Sequence, residues 1–263
     1  MYLISILQSS PTFLIALVAF ALIIACYALG YNRRNRLIRK YPNQAEKDTS
    51  TMTGTLLALL GLMLAFSFSM ANSRYDARRQ VMVEEANVIG TAILRTQMYP
   101  DSVRQLLRTG MKEYVEVRIG ALDARRDKDM LLANQIKTDS LSKQIWNIVS
   151  DYTAVDPTLV RTSELIPALN DMIDIFTTRR AAFESTIPDS IMFFLLLLCL
   201  SSSFLLAQDR KTNADWIVVV GFSLMLSATI FTIIDLDRPH SGLISMERPQ
   251  QKIEALRGMF DAD

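Results

Sequence analysis

Four stretches of the chain contain no acidic or basic side chain and are dominated by apolar residues. They cover residues 1–32, 49–73, 190–208 and 216–234. A helix rises about 1.5 Å per residue, so about 20 residues cross a hydrocarbon core of about 30 Å. The pattern therefore predicts four transmembrane helices, over residues 12–31, 52–71, 190–208 and 216–234.

The long segment between the second and third predicted membrane helices has the spacing of amphipathic helices. Met82, Ala86, Ile89 and Ile93 form one apolar stripe at intervals of three and four residues. No run of alternating apolar and polar residues indicates a strand. Because no glycine or proline lies between Ala71 and Gly90, we expect the first helix of this segment to continue the second membrane helix without a break.

These patterns predict an all-α polytopic membrane protein. Its four transmembrane helices form two hairpins, and a helical extramembrane domain lies between helices two and three. The first membrane hairpin covers residues 1–72 and includes a basic linker at 32–48. The helical domain covers residues 73–187, the second membrane hairpin 188–235, and a polar C-terminal tail 236–263.

Composition excludes several other classes of protein. The chain has 263 residues, of which 50% are hydrophobic and 21% are charged, with a net charge of +1. Long uncharged apolar runs are not expected in an ordinary cytosolic enzyme or in a disordered chain. A net charge near zero does not indicate nucleic-acid binding. The two cysteines, Cys26 and Cys199, both lie in apolar runs, which argues against a disulfide-stapled secreted domain.

The basic side chains favour one orientation in a bacterial-type inner membrane. Lys and Arg are concentrated in the linkers 32–48 and 209–215, and the positive-inside rule places such linkers in the cytoplasm. The domain 73–187 is then outside. Arginines at both ends of that domain oppose this assignment, among them Arg74, Arg78, Arg79, Arg179 and Arg180.

The sequence contains no recognisable catalytic constellation. His240 is the only histidine, and the carboxylate pair Glu84-Glu85 has the character of a solvated or salt-bridged helix face. No nucleotide-binding, hydrolase or zinc-protease motif occurs. We therefore expect no enzyme activity, no cofactor and no resident metal ion.

Helix two carries two stripes of opposite character. Small residues that permit close helix packing lie at Gly54, Ala58, Gly61 and Ala65. Large apolar residues, spaced by four, lie at Leu62, Phe66 and Met70. By spacing alone, both stripes are explained by packing within a bundle. Around a symmetry axis, the large residues would instead form stacked apolar rings that gate ions by dewetting.

Two segments of helix two resemble the second membrane helix of bacterial bestrophins. They are residues 59–66 (LLGLMLAF) and residues 72–78 (NSRYDAR). The whole chain resembles the bestrophin-like domain family of unknown function, which shares this motif, the following Glu85-Ala86-Asn87 element, the second hairpin, and Asp237-Arg238-Pro239 with Gly242.

The resemblance implies a homo-oligomeric ion channel, pentameric as bestrophins are, with the second helix lining the pore. Carried over by position, Leu62, Phe66 and Met70 are candidates for the neck. Asn72, Ser73, Arg74 and Arg78 are candidates for a vestibule, where the two arginines would favour anions by their field. The partners implied are membrane lipid, further copies of the chain and an inorganic ion of unknown identity.

Two questions stay open at this point. Bestrophins keep their large helical part in the cytosol, which is opposite to the orientation that the linker charges favour. The alternative function is a membrane-anchored helical scaffold or sensor that binds a protein partner.

Overall fold

The computed structural model describes residues 11–41, 50–123, 128–155, 159–208, 215–238 and 247–261. In these residues the regular secondary structure is entirely helical, which confirms the all-α prediction. The α-helices are α1 (Thr12–Lys40), α2 (Ser50–Arg95), α3 (Asp101–Asp123), α4 (Lys128–Val155), α5 (Leu159–Glu184), α6 (Asp189–Gln208), α7 (Trp216–Asp237) and α8 (Glu247–Glu254). The segments Thr96–Met98 and Ala255–Met259 are 3₁₀-helices.

Four helical stretches are long and apolar enough to cross a membrane. They are Thr12–Lys40, Ser50–Met98, Ser163–Gln208 and Trp216–Asp237, of which the third comprises most of α5 and all of α6 with the short break between them. Each contains one of the four predicted transmembrane segments, so the prediction of four spans is confirmed. Residues 42–49 and 209–214, which include the last part of the first predicted linker and nearly all of the second, lie outside the described residues, as does His240.

Helix α1 extends nine residues beyond the predicted end of its membrane span, so part of the predicted basic linker is helical. It contains no proline, and its Arg, Leu and Lys residues are good helix formers. The helix ends at Lys40, where Tyr41 has φ −135° and ψ 66°. Residue 42 is a proline, and a proline disfavours the α conformation at the residue before it.

Helix α2 is continuous over 46 residues, which confirms the prediction that the second membrane helix runs on into the next segment. At about 1.5 Å per residue it is about 69 Å long. By composition, its first half is uncharged and largely apolar, and its second half carries all of its charged side chains.

The chain divides into two compact units. The first comprises Met1–Tyr75 and Thr186–Ile244, and is called the membrane unit below. The second comprises Asp76–Ser185 and Ser245–Asp263, and is called the helical unit.

The membrane unit is built around close packing of α1 against α6. The hydroxyl of Ser203 donates a hydrogen bond of 2.8 Å to the carbonyl oxygen of Ile23. Further along α1, a Cβ atom on Gly30 would collide with the carbonyl oxygen of Phe204 and would lie 3.0 Å from the Cβ of Ala207. Only glycine fits at this crossing. Apolar residues of all four membrane helices complete the core, including Ile23, Leu60, Leu195 and Ile233.

The core of the helical unit uses the stripe predicted from the sequence. Met82, Ala86, Ile89 and Ile93 of α2 are all at most 5% exposed. They share this core with buried side chains of the other helices of the unit, including Leu107 and Tyr114 of α3, Ile145 of α4, and Leu165 and Met172 of α5.

The C-terminal segment belongs to the helical unit. Ile253 and Leu256 are buried, and Arg257 forms two hydrogen bonds, of 2.7 and 2.6 Å, with the carboxylate of Glu116. These bonds from Arg257 lower the pKa of Glu116. Arg108 also donates to the carbonyl oxygen of Met259 at 3.1 Å. Residues 247–261 of the predicted polar tail are thus mostly helical and attached to α3, whereas residues 236 and 237 belong to α7.

We predict that Gly30→Ala destabilises the membrane unit. The new methyl group meets backbone atoms that cannot move independently, and overpacking of this kind costs about 1–3 kcal/mol. Thermal unfolding of the purified protein in detergent should show a lower midpoint for Gly30→Ala. Gly221→Ala is the matched control, because a Cβ there meets nothing within 4 Å. Equal midpoints for the two variants would contradict the close crossing.

Candidate functional site

One face of α2 packs into the membrane unit. Thr53, Leu60, Ser67 and Ala71 are at most 2% exposed and recur at intervals of seven and four residues. Partly buried side chains on either side pack against the same core, including Leu56, Leu57, Met63 and Leu64. This face of α2 therefore makes contacts within its own chain.

The opposite face of α2 is not covered by any described residue. Leu62 is 51% exposed and Phe66 is 57% exposed, whereas Met70 is half-buried. At about 100° per residue, Thr55, Ser69 and Ser73 lie within about 20° of Leu62 around the helix axis, and all three are exposed. We call the surface formed by Thr55, Leu62, Phe66, Ser69 and Ser73 the uncovered face. It has an apolar middle with hydroxyl groups at both ends.

The predicted helix-packing stripe lies beside the uncovered face. Gly54, Ala58, Gly61 and Ala65 are all exposed. A Cβ atom added at Gly54 or Gly61 would meet nothing within 4 Å. No described part of this chain packs on the stripe, so its packing role stays a prediction about contacts with another molecule.

The four vestibule candidates do not share one environment. Asn72 and Ser73 are exposed, and Arg74 is half-buried. Arg78 is completely buried. It donates hydrogen bonds from Nε to the carbonyl oxygen of Ala182, at 3.2 Å, and from Nη2 to that of Ser185, at 2.6 Å.

The vestibule role of Arg78 stays a prediction, and the burial of this side chain argues against it. Its guanidinium group satisfies carbonyl groups at the C-terminal end of α5, where a helix dipole favours positive charge. A side chain with no exposed surface cannot present its charge to a water-filled vestibule. Of the two arginines expected to favour anions, only Arg74 then remains as a candidate.

The helical unit contains a buried ion network that the sequence patterns did not reveal. Glu85 is fully buried between Arg118 and Arg179, which are also buried. Arg118 forms a hydrogen bond of 2.6 Å with Oε1 of Glu85, and Arg179 pairs with Oε2. Both guanidinium groups also lie over aromatic rings, Arg118 at 4.8 Å from Phe176 and Arg179 at 5.4 Å from Phe183.

This network agrees with the salt-bridged interpretation of the Glu84-Glu85 pair, but it places the salt bridges of Glu85 in the interior rather than on a helix surface. Glu84 is exposed, but Glu85 lies in the interior, on the stripe that includes Met82 and Ile89. Its spacing, three residues after Met82 and four before Ile89, is the feature of the sequence that indicates burial of Glu85. Tyr114 is buried in the same unit, and burial raises the pKa of its hydroxyl.

In the membrane unit, Asp237 joins the end of α7 to the segment before α6. The backbone N–H of Ile187 donates to both carboxylate oxygens of Asp237, at 3.1 and 3.0 Å. This contact gives Asp237 of the Asp237-Arg238-Pro239 motif a structural role. Across the described residues, no group of three or more His, Cys, Asp or Glu side chains could hold a metal ion.

Comparison with known families decides the assignment. The family described as Bestrophin-like domain matches residues 15–249. The chain belongs to the bestrophin-like family. The family expected from the motifs of helix two is thus confirmed, and with it a membrane protein of this class. No curated protein matches the chain at a significant level.

Solved structures show the bestrophin fold at low sequence identity. A crystal structure of a mutant bacterial bestrophin homologue from Klebsiella pneumoniae has a TM-score of 0.68 and 11% identity, covering 94% of this chain and 99% of that one. A second mutant of the Klebsiella pneumoniae homologue has a TM-score of 0.65 and 13% identity, covering 94% and 98%. A structure described as a membrane protein has a TM-score of 0.69 and 12% identity, covering 96% and 99%.

We predict that Glu85→Ala strongly destabilises the helical unit of this bestrophin-like protein. It leaves two buried arginines without their shared carboxylate, a change that costs about 3–5 kcal/mol. Glu84→Ala, at the neighbouring exposed position, should change stability by no more than about 0.5 kcal/mol. Chemical denaturation followed by circular dichroism measures both. A Glu85→Ala protein as stable as Glu84→Ala would show that the network contributes little.

Proposed function

We propose that this bestrophin-like protein is a homo-oligomeric membrane ion channel whose pore is lined by the uncovered face of α2. The observation that carries the proposal is the composition of this face. Leu62 and Phe66 are about half exposed in the single chain, and exposed hydroxyl residues lie at both ends of the apolar stretch. A conducting pathway needs such wet ends and a narrow middle.

Contact with lipid alone explains this face less well. Leu62 and Phe66 suit a lipid-facing surface, but Ser69 and Ser73 do not contribute to burial in hydrocarbon. The glycine and alanine stripe beside them gives lipid chains little side-chain surface to contact. It does allow the backbone of a neighbouring helix to approach closely.

The geometry of the helix permits both contacts at once. Gly61 lies about 100° from Leu62, and Ala65 about 60° from it, around the helix axis. A neighbouring copy of α2 can therefore pack on Gly54, Gly61 and Ala65 while Leu62 and Phe66 point toward a common axis. A closed ring follows when each copy repeats the contact. By family resemblance, we propose five copies.

The proposed neck consists of Leu62, Phe66 and Met70. These residues span about 12 Å of helix, and their successive spacing of four turns each about 40° from the last. Rings of large apolar side chains exclude water from a narrow passage, because water loses hydrogen bonds that the wall cannot replace. Ions that retain their hydration shells are then blocked until the neck widens.

The test is ion flux through the protein reconstituted in liposomes. The triple variant Leu62→Ala, Phe66→Ala, Met70→Ala should increase flux at least about tenfold, equivalent to lowering the barrier by about 1.4 kcal/mol. The matched control replaces one Leu, one Phe and one Met that are at least 60% exposed on other membrane helices: Leu224, Phe193 and Met225. This control should leave flux unchanged.

Leu57 and Leu64 are unsuitable as lipid-facing controls, because both pack against the core of the membrane unit.

The mass of the particle in detergent provides the second measurement. A discrete ring of identical chains with increased flux in the neck variant supports the channel. A monomer with background flux in every variant contradicts it and favours a membrane-anchored scaffold that binds a protein partner.

A further inference from the structure

The end of α1 beyond its membrane span is strongly basic. Five cationic side chains occur within eight residues, at Arg33, Arg34, Arg36, Arg39 and Lys40. No acidic residue precedes Glu46 in the sequence. The end of α1 therefore carries a concentrated positive charge, and no acidic side chain of the same helix neutralises it.

Helical geometry places most of this charge on one side. At about 100° per residue, Arg33, Arg36, Arg39 and Lys40 fall within about 120° around the axis of α1. All four are exposed, and together they are called the basic face below. Two exposed apolar side chains lie beside it: Leu37, about 40° from Arg33 around the axis, and Tyr41, the residue that follows the helix.

The distance from the hydrocarbon core suits contact with lipid headgroups. If the core ends near Tyr31, the Cα atoms from Arg33 to Lys40 lie about 3–14 Å beyond it along the helix. The headgroup layer is about 5–7 Å thick on each side, and charges are felt about 8 Å further at physiological salt. Aromatic residues support this boundary, because Tyr27 of α1 and Trp216 of α7 make an edge contact with ring centroids 6.1 Å apart.

Contacts with α6 fix the start of the basic face. Nη1 of Arg33 donates a hydrogen bond of 3.2 Å to the side-chain oxygen of Gln208. The Arg33 guanidinium also lies over the ring of Phe204, 5.9 Å from its centroid. These contacts hold Arg33 against α6.

We propose that the basic face of α1 binds the headgroups of anionic phospholipids in the membrane that the protein spans. The charges are complementary, and each basic side chain near an anionic surface adds to the attraction. The exposed Leu37 and Tyr41 favour a lipid over phosphate in solution, because they can enter the interfacial layer beside the charged headgroups. This inference does not depend on ion conduction.

The test compares lipid retention by the purified protein. The wild-type chain and the triple variant Arg36→Gln, Arg39→Gln, Lys40→Gln are incubated with mixed phosphatidylglycerol and phosphatidylcholine, and bound lipid is measured by native mass spectrometry. Arg33 is left in place because it contacts Gln208 and Phe204. We expect the preference for phosphatidylglycerol to fall at least tenfold in the variant, and to fall in the wild type as salt is raised.

The matched control removes the same charge from exposed lysines of the helical unit, with Lys112→Gln, Lys143→Gln and Lys252→Gln. It should retain the wild-type lipid preference. An equal loss in both triple variants would show a general charge effect and overturn the proposal. Displacement of bound phosphatidylglycerol by millimolar inorganic phosphate would also overturn it, because the face would then be a site for soluble anions. An unchanged preference for phosphatidylglycerol in the triple variant of the basic face would also overturn the proposal.

Discussion

The requirement that every backbone polar group inside a bilayer be hydrogen-bonded within the protein governs this structure. It forces each membrane span to be helical, and in α2 the helix then continues without a break to Arg95. No proline interrupts these residues, and the only glycines are Gly54, Gly61 and Gly90. One helix thereby contributes Leu60 and Ala71 to the core of the membrane unit. It also contributes Met82 and Ile89 to that of the helical unit.

Several charged side chains in the helical unit connect one helix to another instead of lying on its surface. Glu85 of α2 is paired with Arg118 of α3 and Arg179 of α5. Arg78 uses the carbonyl groups at the end of α5. Buried pairs of this kind give little net stability compared with apolar packing, but losing one member is costly. They therefore restrict which helix surfaces can pack together.

The spans and the main apolar stripe could be predicted from the sequence because both follow from local periodicity. The absence of helix breakers was likewise enough to predict the continuity of α2. The burial of Glu85 and Arg78 could not be predicted in this way, because it depends on partners 33 to 107 residues away in the chain. The docking of the C-terminal segment through Arg257 and Glu116 is a long-range contact of the same kind.

The candidate neck shows a different limit of sequence reasoning. Periodicity places Leu62 and Phe66 on one stripe, and the structure adds that this stripe faces away from the core of its own chain. Which molecule covers the stripe is a property of the assembly, and a single helix can meet lipid, water or a second copy with the same residues. For α1, by contrast, the charges from Arg33 to Lys40 are visible in sequence. Their helical arrangement emerged only when α1 proved to extend to Lys40.

The central claim is that the uncovered face of α2 lines a shared axis. Electron cryo-microscopy of the protein assembled in a lipid nanodisc tests it most directly. The account predicts a closed ring in which Phe66 from every copy points to the symmetry axis at or beside the narrowest point, with a neighbouring α2 packed near Gly61. A ring without an axial passage, or a particle in which Phe66 contacts only lipid, would contradict it.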